Sequence, residues 1–198
     1  MTTNRANQQI HPRRRADAQR NIERILDAAV DALTDDLDAS MSEIARRAGV
    51  VRATVYVHYP TREALLAAVT ERAFAEVSTV IAAAEPDRGE PQVALRRVIA
   101  ATWRTLGRYH GLVAISASTQ PPEQLHRRHQ AVLRPLIPLI ERGQAAGVFR
   151  ADVPPGWHLS MIVALIHAAS AEARAGRIPD HAAEAAVVAT VLGAVGRR

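Results

Sequence analysis

The chain has 198 residues, 48% of them hydrophobic, with 25 basic residues against 20 acidic ones and no cysteine. That apolar share is ordinary for a globular chain with a sizeable core, and the missing cysteines exclude disulfides, thiolate metal centres and cysteine nucleophiles. Every basic residue is an arginine, no apolar run reaches the length of a membrane span, and the start is polar and arginine-bearing; the expectation is a cytoplasmic protein with no membrane partner and no secretory signal.

Residues 1–15 lack apolar periodicity and include Pro12 and the consecutive Arg13, Arg14 and Arg15. They read as part of a flexible basic arm, residues 1–17, of the kind that trails along phosphates or enters a minor groove; an inert tail is the alternative for residues 1–10. From about Asp17 the pattern turns helical. Ile22, Ile25, Leu26, Ala29 and Leu33 form one apolar stripe, and the acidic run Asp35, Asp36, Asp38 closes it.

The next stretch, SMSEIARRAGVVRATVYVHYPTREAL at residues 40–65, organises the chain. Ser40 and Glu43 have capping-box spacing, in which the hydroxyl takes a backbone N–H and the carboxylate reaches back to the cap. Ile44, Ala45 and Ala48 give a helical face, Gly49 ends it in the left-handed conformation, and a second helix spans about Arg52 to His58 with Val55 inward. Tyr59 before Pro60 is driven out of the helical region, and Thr61 caps a third helix. Two short helices crossing closely over a glycine turn are a helix-turn-helix, with the motif at about 41–60. Arg46, Arg47, Arg52 and Arg62 face only Glu43 in residues 39–62, whereas Asp27 to Asp38 holds five acids and no base. Basic charge thus sits where a phosphate-facing surface needs it; a solvated mixed surface is the bland alternative.

After Thr61 a helix without internal glycine or proline runs to about Ala84, tying the motif to the rest through a stiff element. Leu65, Leu66, Val69, Ala73, Val77, Val80 and Ile81 form its buried side. EPDRGEP at 85–91 is a loop, and Pro91 starts a helix to about Tyr109 with Leu95, Val98, Ile99, Thr102 and Leu106 inward. LVAISASTQ (residues 112–120) fits a short helix or a strand. Pro121-Pro122 opens a helix that Pro135 and Pro138 interrupt. Two alanine-rich helices, about 156–175 and 180–195, end the chain. The fold class is all-α, about nine helices: a helix-turn-helix domain at 18–66 and a helical domain at 67–198.

The residues Ile25-Leu26-Asp27-Ala28-Ala29, Ile44-Ala45, Ala48-Gly49-Val50 and Thr54-Val55-Tyr56-Val57-His58-Tyr59, followed by Arg62 to Leu65, resemble the TetR family of one-component transcriptional regulators. The resemblance spans roughly residues 20–66; beyond it, helix count, a Gly147–Phe149 turn and two closing helices agree. It implies a repressor that binds a palindromic DNA operator as a homodimer, with a small amphipathic molecule in the C-terminal domain changing the separation of two reading heads. Carried over by position, it implies phosphate contact by Ser40, base-side positions for Ser42, Arg52, Ala53, Thr54 and Val57, and backbone contacts by Tyr56, His58 and Arg62. Arg52 suits bidentate pairing with a guanine, worth ~1–3 kcal/mol of discrimination; a merely solvated arginine is the alternative. Val51 departs from the family's frequent serine, and valine cannot cap a helix, at a cost of about 1 kcal/mol.

Candidate lining residues for the effector are Trp103, Leu106, Tyr109, Ser116, His126, His129, Trp157, Met161 and His167, chosen as aromatic or isolated polar groups among apolar helices. The closing two helices are the expected dimer interface. Two other functions compete: a helical small-molecule binder that reads no operator, and a metal-dependent bundle enzyme. Glu123-x-x-His126 is half of a di-iron carboxylate motif, but no second copy exists, and His126 and His129 lack a third ligand. No metal, cofactor or catalytic residue is expected.

Overall fold

The computed structural model describes the backbone of residues 5–109, 112, 115 and 122–197, and the side chains of that set apart from residues 5–15, 122 and 180. Among the described residues there are nine α-helices and no strand: α1 (Arg5–Asp35), α2 (Met41–Ala48), α3 (Arg52–His58), α4 (Arg62–Ala83), α5 (Pro91–Gly107), α6 (Pro122–Leu133), α7 (Ile137–Ala145), α8 (Pro155–Arg174) and α9 (Asp180–Val195). The LVAISASTQ stretch lies, but for Leu112 and Ile115, outside the described residues. Contacts divide the chain into two compact units, Met1–Thr70 and Glu71–Arg198, a few residues beyond the boundary expected from sequence.

In the first unit the buried residues are Ile25, Ala28, Ala29, Ala32 and Leu33 of α1, Met41, Ile44, Ala45 and Ala48 of α2, Val55 of α3, and Leu65 and Val69 of α4. The stripe read from sequence is thus the buried face of α1, with Ile22 and Leu26 at its half-buried margin. One expectation is corrected. Helix α1 begins at Arg5, so it takes in most of the stretch read as a flexible arm, residues 1–17. That reading rested on missing apolar periodicity, which reports a buried face and not helicity; arginine, alanine and glutamine are good helix formers without one.

The second unit is a helical layer structure around Leu95, Val98, Ile99 and Trp103 of α5, Leu139 and Ile140 of α7, Leu159, Ile162 and Ile166 of α8, and Val187, Val191 and Val195 of α9. Pro135 and Pro138 act as expected: α6 stops at Leu133, Arg134–Leu136 forms a 3-10 turn, and α7 restarts at Ile137. The loop after α4 is held by two guanidinium groups. Arg97 donates to the carbonyls of Ala84, Glu85 and Arg88, and Arg142 to those of Pro86 and Asp87. These include carbonyls that a helix end leaves without an intrahelical partner. The turn at 143–149 closes on a glycine. The N–H groups of Val148 and Phe149 both reach the Gly143 carbonyl, and Phe149, 1% exposed, lies over Gly143. A Cβ built at Gly143 would fall 1.9 Å from Phe149 Cδ2. An isolated antiparallel bridge, Phe149 with Gly196, fastens this turn to the end of α9.

Candidate nucleic-acid interface

Ser40 caps α2 as its spacing predicts: its Oγ accepts the Glu43 N–H at 3.2 Å. The other half of the capping box is absent. The Glu43 carboxylate accepts instead from Arg46 (2.8 and 2.6 Å) and Arg47 (2.8 Å), because two guanidiniums one turn on outcompete a single amide. They hold the Glu43 carboxyl down to about 2, so it stays ionised at any pH at which DNA is bound. Arg47 also reaches Asp35 at 2.6 Å, fastening α2 to the end of α1. Gly49 sits at φ +62° and closes α2 with two reverse bonds, Val50 N–H to Ala45 and Gly49 N–H to Arg46, the glycine C-terminal motif expected from sequence. Arg24 of α1 donates to the Gly49 carbonyl at 3.1 Å. No local sequence signal marks Arg24, which lies 25 residues away.

Val51 stands at the N-cap of α3 with no side-chain cap bond and is 71% exposed. We expect Val51→Ser to supply the missing acceptor and raise stability by about 1 kcal/mol, read as a higher urea midpoint; a lower midpoint would contradict this account. Val55 is the buried residue of α3. Arg52, Ala53, Tyr56 and Val57 are exposed, Thr54 and His58 half-buried, and Ser40 and Ser42 exposed at the start of α2. Arg52 is held by its neighbour one turn on: Nη2 donates to the Tyr56 hydroxyl at 3.1 Å, and the guanidinium carbon lies 5.2 Å from the ring centroid. Thr61 caps α4 through the Ala64 N–H at 3.1 Å. Arg62 differs from its sequence reading: its guanidinium donates to the carbonyls of Ala39 and, at 2.6 Å, Leu37. It clips the α1–α2 loop that presents Ser40.

In the second unit the eight described candidate effector residues are spread over core, surface and separate cavities. Trp103 and Tyr109 are core residues, and burial, with Glu76 beside it, pushes the Tyr109 phenol up to about 12. Leu106 is half-buried, Ser116 lies outside the described residues, and Trp157 is 61% exposed. Met161 borders a separate cavity of about 890 Å³ beside Phe149 and Arg150. The structure does bring together His129 and His167, ring centroids 5.1 Å apart, with Phe74 of α4 edge-on to His129 at 5.2 Å. Phe74 stands outside the buried stripe read from the sequence of this helix and was not named among the effector candidates. His126 and His129 also line a groove of about 620 Å³ with Leu133, Ile137, Leu159 and Val163. Among the described residues no three histidine or acidic side chains converge as a metal site.

Burial, with His167 secondary, pushes His129 down to about 4, and burial lowers His167 as well. The unfolded chain therefore binds more protons from about pH 6.5 down to about 4, so stability rises with pH across that window. NMR titration of the His129 ring should give a midpoint near 4, and His129→Gln should flatten the melting temperature's fall on acidification. A His129 midpoint near 6.5 would contradict the burial.

A family model described as bacterial regulatory proteins, tetR family, matches residues 25–69. The HTH-type transcriptional repressor LfrR of Mycolicibacterium smegmatis is 32% identical over 157 residues, covering 79% of this chain and 80% of that protein. The HTH-type transcriptional repressor NicS of Pseudomonas putida is 30% identical over 146 residues, covering 69% of each. Among solved structures, the TetR-like regulator LfrR from Mycobacterium smegmatis in complex with proflavine aligns with a TM-score of 0.68 at 28% identity, over 90% of this chain and 99% of that one. A TetR-family regulator from Rhodococcus sp. shares the fold, with a TM-score of 0.72 at 18% identity over 88% and 98% of the two chains.

Proposed function

The chain belongs to the tetR family of bacterial regulatory proteins, and from that membership we propose that it represses transcription as a homodimer seated on a palindromic operator. DNA-binding transcriptional regulation follows from the family; the repression, the palindrome and the contacts are our reading. The observation that carries it is exposure: Arg52, Ala53, Tyr56 and Val57 are exposed on α3 around the buried Val55, Ser40 and Ser42 are exposed at the start of α2, and Thr54 and His58 are half-buried. In a helix-turn-helix this is the surface that enters the major groove. Arg62 serves the same contact indirectly, by holding the loop that carries Ser40.

The dimer is assigned to α8 and α9. Their exposed positions are rich in small residues, Ala164, Ala168 and Ala171 on one and Ala185, Ala186 and Ala189 on the other, which lets helices of two copies approach closely. Two reading heads related by such a two-fold axis engage successive major grooves about 34–36 Å apart. The effector is a small amphipathic molecule taken up beside Phe74, His129 and His167, where rings and uncharged imidazoles meet an apolar groove. It releases DNA only through unequal affinity for the DNA-competent and DNA-incompetent states. A DNA partner places the protein in the cytoplasm, and no described helix is long and apolar enough to cross a membrane.

Genome-wide selection of bound fragments, followed by footprinting, tests this. A protected palindrome of two half-sites is expected. Absence of any site-specific complex at low salt would overturn the reading and leave a helical ligand-binding protein.

A further inference from the structure

Five large hydrophobic side chains are exposed among the described residues: Val51, Tyr56, Val57, Val93 and Trp157. Three of the five fall within the seven residues 51–57. Single exposed apolar side chains are normal on any protein, so the grouping, and where on α3 it points, is what calls for a reason.

Successive residues of an α-helix are turned by about 100°. Residues two before and two after a buried position therefore face almost directly away from it. In α3 the buried position is Val55, 0% exposed, so the outermost ridge consists of Ala53 and Val57, one turn apart. Arg52 and Tyr56 form one flank, bonded to each other; Thr54 and His58 form the other. A solvent-facing helix ridge is normally polar. Here it is apolar, and Val57 is 78% exposed.

The occupant of this ridge is fixed by its neighbours. Arg52 is exposed on its flank, Ser40 and Ser42 are exposed at the start of the adjoining α2, and the segment lies within the matched regulatory-family region. A polyanion with apolar groups on its groove floor suits both features. In B-DNA the one apolar group on the major-groove floor is the thymine C5-methyl. We infer that the Ala53–Val57 ridge reads thymine by its methyl group, so that each half-site prefers a thymine under Val57, next to the base addressed by Arg52. This rests on the DNA-binding reading, and adds which base is chosen and by what group.

The test uses the full-length protein and its selected operator. Each thymine is replaced in turn by deoxyuridine, which deletes the methyl and leaves every hydrogen-bonding edge intact. Wild-type protein should lose about fourfold in affinity at one thymine of each half-site, the equivalent of one buried methyl-sized group. Val57→Ala, an exposed change that leaves the fold intact by circular dichroism, should bind thymine and uracil operators alike at that position. A selected operator indifferent to every uracil substitution, or an equal uracil penalty in Val57→Ala, overturns the methyl readout alone. Failure to select any operator overturns the DNA-binding reading and this inference with it.

Discussion

Gly143→Ala should destabilise the C-terminal unit by about 3 kcal/mol, at the upper end of overpacking penalties. The cause is a single overlap. Phe149 is 1% exposed and lies where the alanine methyl would go, 1.9 Å from Cδ2 and 2.3 Å from Cε2. Neither partner can yield cheaply. The ring is enclosed by the core it shares with α7, α8 and α9, and its own backbone is tied down by the Phe149 N–H bond to the Gly143 carbonyl and the bridge to Gly196. For a unit of this size the loss amounts to a fall of roughly 10 °C in melting temperature. Phe149→Ala would cost about as much by leaving a cavity, yet combined with Gly143→Ala it removes the overlap. The double variant should therefore be clearly less destabilised than the two changes added together. An unchanged melting temperature for Gly143→Ala would show that the turn repacks freely.

The second large effect is expected on DNA. Arg62→Ala should weaken operator binding about 30-fold, corresponding to the roughly 2 kcal/mol lost with charged bonds to two partly buried carbonyls. The sequence reading gave Arg62 a phosphate, which predicts a salt dependence shallower by about one unit. Its place on Leu37 and Ala39 predicts otherwise. Affinity should fall on every sequence while the salt slope stays as in wild type, because the loss lies in the presentation of Ser40 and α2 and no ion is released by Arg62 itself. Arg62→Lys should recover only part, since an ammonium lacks the fork that serves two carbonyls at once. Binding measured across a salt series decides: a slope reduced by one unit would return Arg62 to the DNA backbone.

Much of the DNA-binding unit is legible because its signals are local. Ser40, Gly49, Thr61 and the Tyr59-Pro60 stop each act within a few residues of themselves, and each does in the structure what its neighbourhood predicts. The second half of the capping box failed for a reason visible only afterwards. Glu43 has two guanidiniums within one turn, and a charged partner outcompetes an amide. Arg24 and Arg62 were beyond reach because their carbonyl partners lie more than twenty residues away. The effector list had the least local signal to draw on. Polar and aromatic residues on unconnected helices share no local pattern, so His129 and His167 were named without their meeting being foreseen, and Phe74 was passed over. The need for glycine at position 143 likewise depends on a ring six residues on, and no turn rule reports it.

The arginine-only choice of basic residue drew no structural reading from sequence, yet three interhelical connections hang on four of these side chains. Arg24 holds the α2–α3 turn, Arg62 the α1–α2 loop, and Arg97 with Arg142 the loop after α4, in each case through backbone carbonyls. A version of the gene recoded to lysine at these four places would keep the same charge while losing the planar, multi-pronged grip. Its helices would still form on their own backbone bonds and apolar faces. What would slacken is the joinery between them: the protein's parts list is written in its helices, and its tolerances are written in guanidinium.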